Sequence, residues 1–290
     1  MTWRLGIIGG SGLYDIDALE ERRWTRMESP WGDVSDEVLT GSLHGVPLAF
    51  LPRHGRGHRL SPSAINARAN IDALKRAGCT DILSVSAVGS LREDLAPGAF
   101  VLADQYIDRT RSRPSSFFGP GLVAHVALAD PVCPRLSALV CDAGARAGVE
   151  IKNSATYLAM EGPQFSTRAE SRLYRSWGCD VVGMTAMPEA RLAREAELPY
   201  AALCMVTDYD CWRADNADID IAGILEVMRG NVERARLVAS ELARALSSAA
   251  RTPSPIDTCL DSAIITAPEH WDQDLVRKLD AIGARRFART

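Results

Sequence analysis

The most restrictive feature of this chain is a recurring junction: a short apolar run stops, and glycine, serine, histidine or aspartate follows at once. Residues 5–8, 46–51, 81–86, 154–160, 180–183 and 200–206 read as strands. They run into Gly9-Gly10-Ser11-Gly12, Arg53-His54, Ala87-Val88-Gly89-Ser90, the segment 161–166, Met184-Thr185 and Thr207-Asp208-Tyr209-Asp210. Residues 99–103 are a further strand candidate. Helices are predicted between the strands. One opens at Ser61-Pro62, turns Ile65, Ala69 and Leu74 inward and stops at Gly78; another spans 134–147 and stops at Gly148. Thr167 to Glu170 has the form of a capping box, with a helix to follow. Pro188-Glu189 suits a first turn, where the helix dipole favours the acid. Ile221, Leu225, Met228, Val232 and Ala235 trace one face of a long helix over 218–249. Strands alternating with helices predict an α/β domain, and open α/β sheets bind ligands just past the carboxyl ends of their strands.

Each junction admits a plain reading and a chemical one. The first glycine loop is a simple turn or an anion cradle of backbone N–H groups. It is not a dinucleotide fingerprint, because with Gly10 and Gly12 as the first two glycines the third position is Asp15; no lysine follows, which excludes a nucleotide-triphosphate loop as well. Arg53-His54 is a solvated basic loop or an oxyanion site. The glycines between His54 and His58 oppose a metal-binding helix. Phe165 is either a staple for the helix that follows or a lid over a flat ligand. The segment 108–120, with Arg109, Arg111, Arg113, Phe117 and Phe118, is a long loop that covers a site, contacts a subunit, or does neither. If the last strand continues through 207–210, side chains alternate, so Asp208 and Asp210 share a face and Tyr209 points away. Two close carboxylates repel, and one can then hold a proton near neutral pH.

Composition narrows the classes. With 290 residues, 47% of them hydrophobic, the chain can bury a sizeable core. A net charge of −4 leaves no basic footprint for nucleic acid or an anionic membrane. The 7 cysteines form no C-x-x-C pair, which suits reduced thiols rather than disulfides or a metal centre. The N-terminus lacks a signal-peptide layout and no apolar run reaches membrane length. A cytoplasmic protein with no metal is expected. Residues 247–255 read as a linker, so the chain divides into a domain at 1–250 and an extension at 251–290, packed as a helix around 272–287 or capping a subunit edge.

Taken in order, these motifs resemble the trimeric purine nucleoside phosphorylase family. They are Ile7 to Leu13, Pro52-Arg53-His54-Gly55, Ala87 to Glu93, Glu161-Gly162-Pro163, Met184 to Glu189 and Thr207 to Trp212. The likeness runs from about Arg4 to Ala249 and favours the branch acting on 5′-methylthioadenosine; 108–118 is similar to that branch too. The resemblance implies a single-domain α/β/α sandwich around a mixed, mostly parallel sheet, assembled as a homotrimer. It implies that phosphate attacks C1′ of a nucleoside and the base departs through an oxocarbenium-like transition state. Inorganic phosphate is then a co-substrate and no cofactor is required. Carried over residue by residue, Ser11, Arg53, His54, Ser86, Ala87 and Thr185 hold phosphate. Met184 lies on the ribose, Phe165 stacks on the purine, and Ser166, Val182, Thr207 and Tyr209 line the pocket. Ile221, with His125 from a neighbouring subunit, forms the 5′ pocket. Ser11 stands where many relatives have Thr, which keeps the hydroxyl.

Asp208 and Asp210 carry the base choice. Relatives acting on 6-oxopurines usually have Asn at the position of Asp208 and tend to have Glu at that of Ser166. An ionised carboxylate accepts from the amine of adenine, and a protonated one can donate to N7 of the leaving base. A 6-oxopurine or 5′-methylthioinosine phosphorylase of the same fold is the nearer alternative. A nucleoside-binding sensor without catalysis is the remoter one.

Overall fold

The structure is a computed structural model and describes residues 2–10, 12–213 and 221–288. Ser11 lies outside the described residues, and so does the side chain of Ile221. In chain order the elements are β1 (Leu5–Gly9), β2 (Leu19–Thr25), β3 (Val38–Leu43), β4 (Val46–Pro52), α1 (Ala67–Arg76), β5 (Asp81–Ser90), β6 (Phe100–Asp108) and α2 (Pro134–Arg146). Then come β7 (Ile151–Ala159), α3 (Arg168–Ser176), β8 (Val181–Gly183), α4 (Ala186–Glu195), β9 (Tyr200–Tyr209), α5 (Ile221–Ser247), α6 (Gln273–Lys278) and α7 (Ala284–Phe287).

The strands form one mixed sheet in the order β2-β3-β4-β1-β5-β8-β7-β6-β9. β9 also pairs in parallel with β5, which closes the far half on itself. Strand alternation builds two cores. In β1 and β4, Ile7, Leu48 and Phe50 face the layer of α2 and α5, with Leu136, Val140, Val238 and Leu242. Ile8, Ala49 and Leu51 face the opposite layer, with Ile71 and Leu74 of α1 and Leu192 of α4. One residue of register therefore sends each side chain to one layer or the other, and the result is the expected α/β/α sandwich.

Several local expectations change. The helix predicted from Ser61-Pro62 begins at Ala67. Only a single 3₁₀ turn forms at Pro62–Ala64, and Asn66 supplies the cap by accepting the Ala69 N–H at 3.1 Å. β2 and β3 were not foreseen. β2 is charged and largely exposed, and the β3–β4 hairpin turns on His44-Gly45, both at positive φ; a His-Gly pair is a weak turn signal beside Asn-Gly. The small residues Ala87 to Ser90 do not form a turn. They continue β5, because β9 offers them a partner strand. On α5, Leu225 is exposed, and the buried stripe is Asn231, Ala235, Val238, Leu242 and Leu246. The predicted face meets it at Ala235; Met228 and Val232 are half-buried.

The tail joins the main core. Leu260, Leu279 and Ile282 are buried with Ile71, Leu74 and Leu192. It contains 3₁₀ turns and the two short helices α6 and α7 where a single helix was expected around 272–287. Its chain also pairs with residues 121–125: His125 donates its backbone N–H to Ala263, Ile265 to Val123 and Asp272 to Gly121.

Candidate active site

β9 carries the acids. The strand reaches Tyr209, and Asp210 follows with its N–H on the Ser90 carbonyl. Across the sheet Gly89 sits opposite Asp208. A Cβ at Gly89 would stand 3.3 Å from Asp208 Oδ2, 3.3 Å from Val182 Cγ1 and 3.4 Å from Asp210 Cβ. The two acids therefore converge on one small space roofed by Val182, and only glycine leaves it open. Tyr209 points away and donates to the Glu93 carbonyl.

Burial, not mutual repulsion, dominates the titration of the pair. It pushes Asp208 up to about 6; the Thr207 hydroxyl, 2.7 Å from Oδ1, opposes this and Asp210 adds to it. Asp210 is also raised by burial, and the Ser171 and Ser166 hydroxyls pull it part of the way back. Asp210 Oδ2 is buried and finds no hydrogen-bond partner among the described residues. A buried acceptor of this kind is costly unless a donor meets it.

The cluster around Arg53 has a different character. Arg53 is 2% exposed. Its Nε and Nη2 grip Glu189 at 2.9 and 3.0 Å, Nη2 also reaches Ser84 Oγ, and Nη1 donates to the Val85 carbonyl. Glu189 further accepts the hydroxyls of Ser84 and Tyr200 at 2.8 Å each. The acid expected merely to favour a helix dipole is thus the counter-ion of the cradle's arginine. His54 keeps its ring neutral: burial lowers its pKa to about 4, and Arg53 and His58 add to this against the Leu60 hydrogen bond. Its Nδ1 lies 2.9 Å from the Leu60 carbonyl, which only accepts, so Nδ1 carries the hydrogen and Nε2 is left as an acceptor. The remaining donors are hydroxyls and backbone. Ser86 Oγ is 3.5 Å from Thr185 Oγ1, and Ala87 is the one exposed residue in the first seven of β5. Gly9 joins this group, because its carbonyl accepts the Arg53 N–H.

The structure brings most of the predicted residues together at these strand ends. Met184 touches the 161–163 turn, where a Cβ on Gly162 would lie 2.5 Å from its Sδ. Ser166 is buried beside Cys211, whose thiol donates to its carbonyl. Phe165 is 52% exposed and staples nothing. The capping box places Ser171 at the position a staple would need, so the sequence already opposed that reading. His125 is exposed and held by the tail. Ser84, Tyr157, Tyr200 and Glu189 were missed as contributors. Tyr157 Oη lies beneath Gly183, where a Cβ would stand at 2.0 Å, and only that glycine hinted at a close approach.

A mixed α/β sheet whose strand ends gather hydroxyls around a buried arginine–glutamate pair, with two acids converging beside them, is the arrangement of an enzyme of nucleoside phosphorylase type. The chain belongs to the phosphorylase superfamily, whose pattern matches residues 4–246. It is 57% identical over 286 residues to the S-methyl-5′-thioadenosine phosphorylase of Cereibacter sphaeroides, covering 98% of this chain and 99% of that protein. The match therefore includes the tail, which the motif likeness had left out. A methylthioadenosine phosphorylase from an antarctic soil metagenomic library superimposes with a TM-score of 0.92 at 45% identity, over 97% of this chain and 99% of that one. A mutant of the Schistosoma mansoni adenosine/methylthioadenosine phosphorylase, solved in complex with methylthioadenosine, gives 0.80 at 31% identity, over 98% of each chain.

Proposed function

We propose that this protein cleaves S-methyl-5′-thioadenosine with phosphate, yielding adenine and 5-methylthioribose 1-phosphate. The observation that carries the choice of base is the convergence of Asp208 and Asp210 on Gly89, with one carboxylate oxygen buried and unpartnered among the described residues. Adenine supplies a donor for that oxygen through its exocyclic amine; a 6-oxopurine presents an acceptor and would meet repulsion. The activity named for the relatives supports the same substrate.

Phosphate lies below the sugar, among Ser11, Ser86, Ala87 N–H and Thr185, with Arg53 behind them. Neutral His54 accepts a hydrogen bond from a protonated phosphate oxygen. A phosphate oxygen forms the bond to C1′ as the C1′–N9 bond breaks, with inversion. Asp208, raised toward neutrality by burial, passes its proton to N7 of the departing base. Asp210 accepts from the amine, Phe165 covers the purine, Met184 lies on the ribose, and Ile221 with a neighbour's His125 receives the methylthio group. The reaction needs no metal or organic cofactor, and the working form is a cytoplasmic homotrimer; light scattering tests the trimer. No helix among the described residues is long and apolar enough to cross a membrane.

Base release from methylthioadenosine, adenosine, inosine and methylthioinosine, each with and without phosphate, tests the proposal. Fast phosphate-dependent adenine release from methylthioadenosine is expected. Adenine release that ignores phosphate would make the protein a hydrolase, and faster inosine cleavage would refute the adenine assignment.

A further inference from the structure

The loop at 108–120 carries an arginine that neither covers the pocket nor faces solvent. The Arg113 side chain is 4% exposed. Its Nη1 donates to the carbonyls of Met184 and, at 2.9 Å, Met187; Nη2 donates to the Glu161 carbonyl at 2.6 Å. Nε faces Glu161 Oε1 at 3.4 Å. That carboxylate is itself held, by the Ser63 hydroxyl and by the Arg111 N–H at 2.5 Å. Burial raises the Glu161 pKa, but the Ser63 and Arg111 hydrogen bonds and the Arg113 charge bring it below its ordinary value, so it stays ionised. One guanidinium therefore joins three backbone carbonyls on two segments, the second running into the first turn of α4. One segment precedes Gly162; the other straddles Thr185, between Met184 and Met187. The segments touch where Gly162 meets Met184.

We infer that Arg113 is a positioning residue of the active site: its planar fork sets Met184 and Thr185 in register with the 161–163 turn while touching no substrate. The inference rests on the reading that Met184 and Thr185 contact sugar and phosphate. Lysine is a poor substitute, because a single ammonium lacks the planar, forked donors that reach carbonyls on both segments together.

The test compares Arg113→Ala, Arg113→Lys and Thr185→Ala in steady-state assays varying methylthioadenosine and phosphate, with circular dichroism and thermal unfolding as controls. A displacement on the order of 1 Å at a positioned group can cost ~10²-fold in rate. Folded Arg113→Ala is expected to lose ~10- to 100-fold in kcat and to raise the phosphate KM. Arg113→Lys is expected to stay impaired. Millimolar guanidinium ion should restore part of the Arg113→Ala rate with saturation, and equal urea should not. Kinetic constants of a folded Arg113→Ala within about two-fold of the parent enzyme would overturn the inference, as would full activity of Arg113→Lys. If Arg113→Ala does not fold, Arg113→Lys decides alone. Thr185→Ala separates the two layers of reasoning: an unchanged phosphate KM there refutes the site reading, whereas a raised one beside unaffected Arg113 variants refutes only the positioning role.

Discussion

The two halves of the pocket are built on opposite principles. Around Arg53 the buried ion pair is answered: Arg53 by Glu189, and Glu189 by Ser84 and Tyr200. His54 is neutral, so this cluster carries little net charge and presents fixed dipoles. Around Asp208 and Asp210 the answer is only partial, coming from the hydroxyls of Thr207, Ser166 and Ser171. Asp208 is half-buried and Asp210 buried, neither pairs with a cation among the described residues, desolvation raises both pKa values, and one Asp210 oxygen has no partner there. A satisfied network holds geometry; an unsatisfied one holds chemical potential. On the proposed reading, phosphate is positioned by a bed that does not change, and the base is discharged by groups whose protonation can.

That contrast can be broken from either side. The largest expected effect is Asp208→Asn, which removes the proton donor and should lower kcat/KM for methylthioadenosine by ~10²–10⁴-fold. The same change should move the ratio of inosine to adenosine cleavage upward, measured by competing the two. Its pH signature follows from the sign of the shift. The folded pKa of about 6 lies above the unfolded value of ~3.9, so the fold favours the protonated form. Asp208 therefore contributes most stability below ~pH 4 and loses that contribution as pH rises through about 6. Proton donation follows the same form, so kcat/KM should fall as pH rises through this range; a profile unchanged in Asp208→Asn would refute the assignment. Asp210→Asn should depress adenine-nucleoside turnover far more than it alters denaturant unfolding.

Next in size is Glu189→Gln. Removing one partner of the buried pair should cost ~3–5 kcal/mol of stability in urea unfolding, whereas Asp208→Asn should stabilise or leave stability unchanged. Equal losses in both variants would erase the distinction between the two sides. Phe165→Ala should weaken nucleoside binding by ~1–3 kcal/mol, the usual worth of a base stacked on an aromatic ring. Because Phe165 is half exposed, stability should move by no more than ~0.5 kcal/mol. Smallest is Gly89→Ala. Its methyl group would press on Asp208 and Val182, and a few-fold rise in the nucleoside KM is expected, measured against an unchanged phosphate KM.

Much of the fold was legible because its strands are short, apolar and punctuated. β1, β4, β8 and β9 lie where the runs placed them, and the Thr167 capping box forms as written, with Glu170 returning to the cap N–H. The illegible parts share a cause. β2 is charged on its open face, so no apolar pattern marks it. Ala87 to Ser90 have turn composition, yet β9 recruits them as strand. The dominance of burial over repulsion at Asp208 could not be read from the spacing of two acids, since desolvation depends on what surrounds them.

By itself the sequence determined the α/β alternation, the polar junctions at the strand ends and the two acids on one face, because these follow from residue type and from the period of strands and helices. Only the tertiary structure decided what each group can do there. Arg53 meets Glu189 across 136 residues of chain, Arg113 reaches Met184 across 71, and Gly89 opens a space between acids more than a hundred positions away. Charge, protonation and position are properties of those long-range neighbours, which no local pattern encodes.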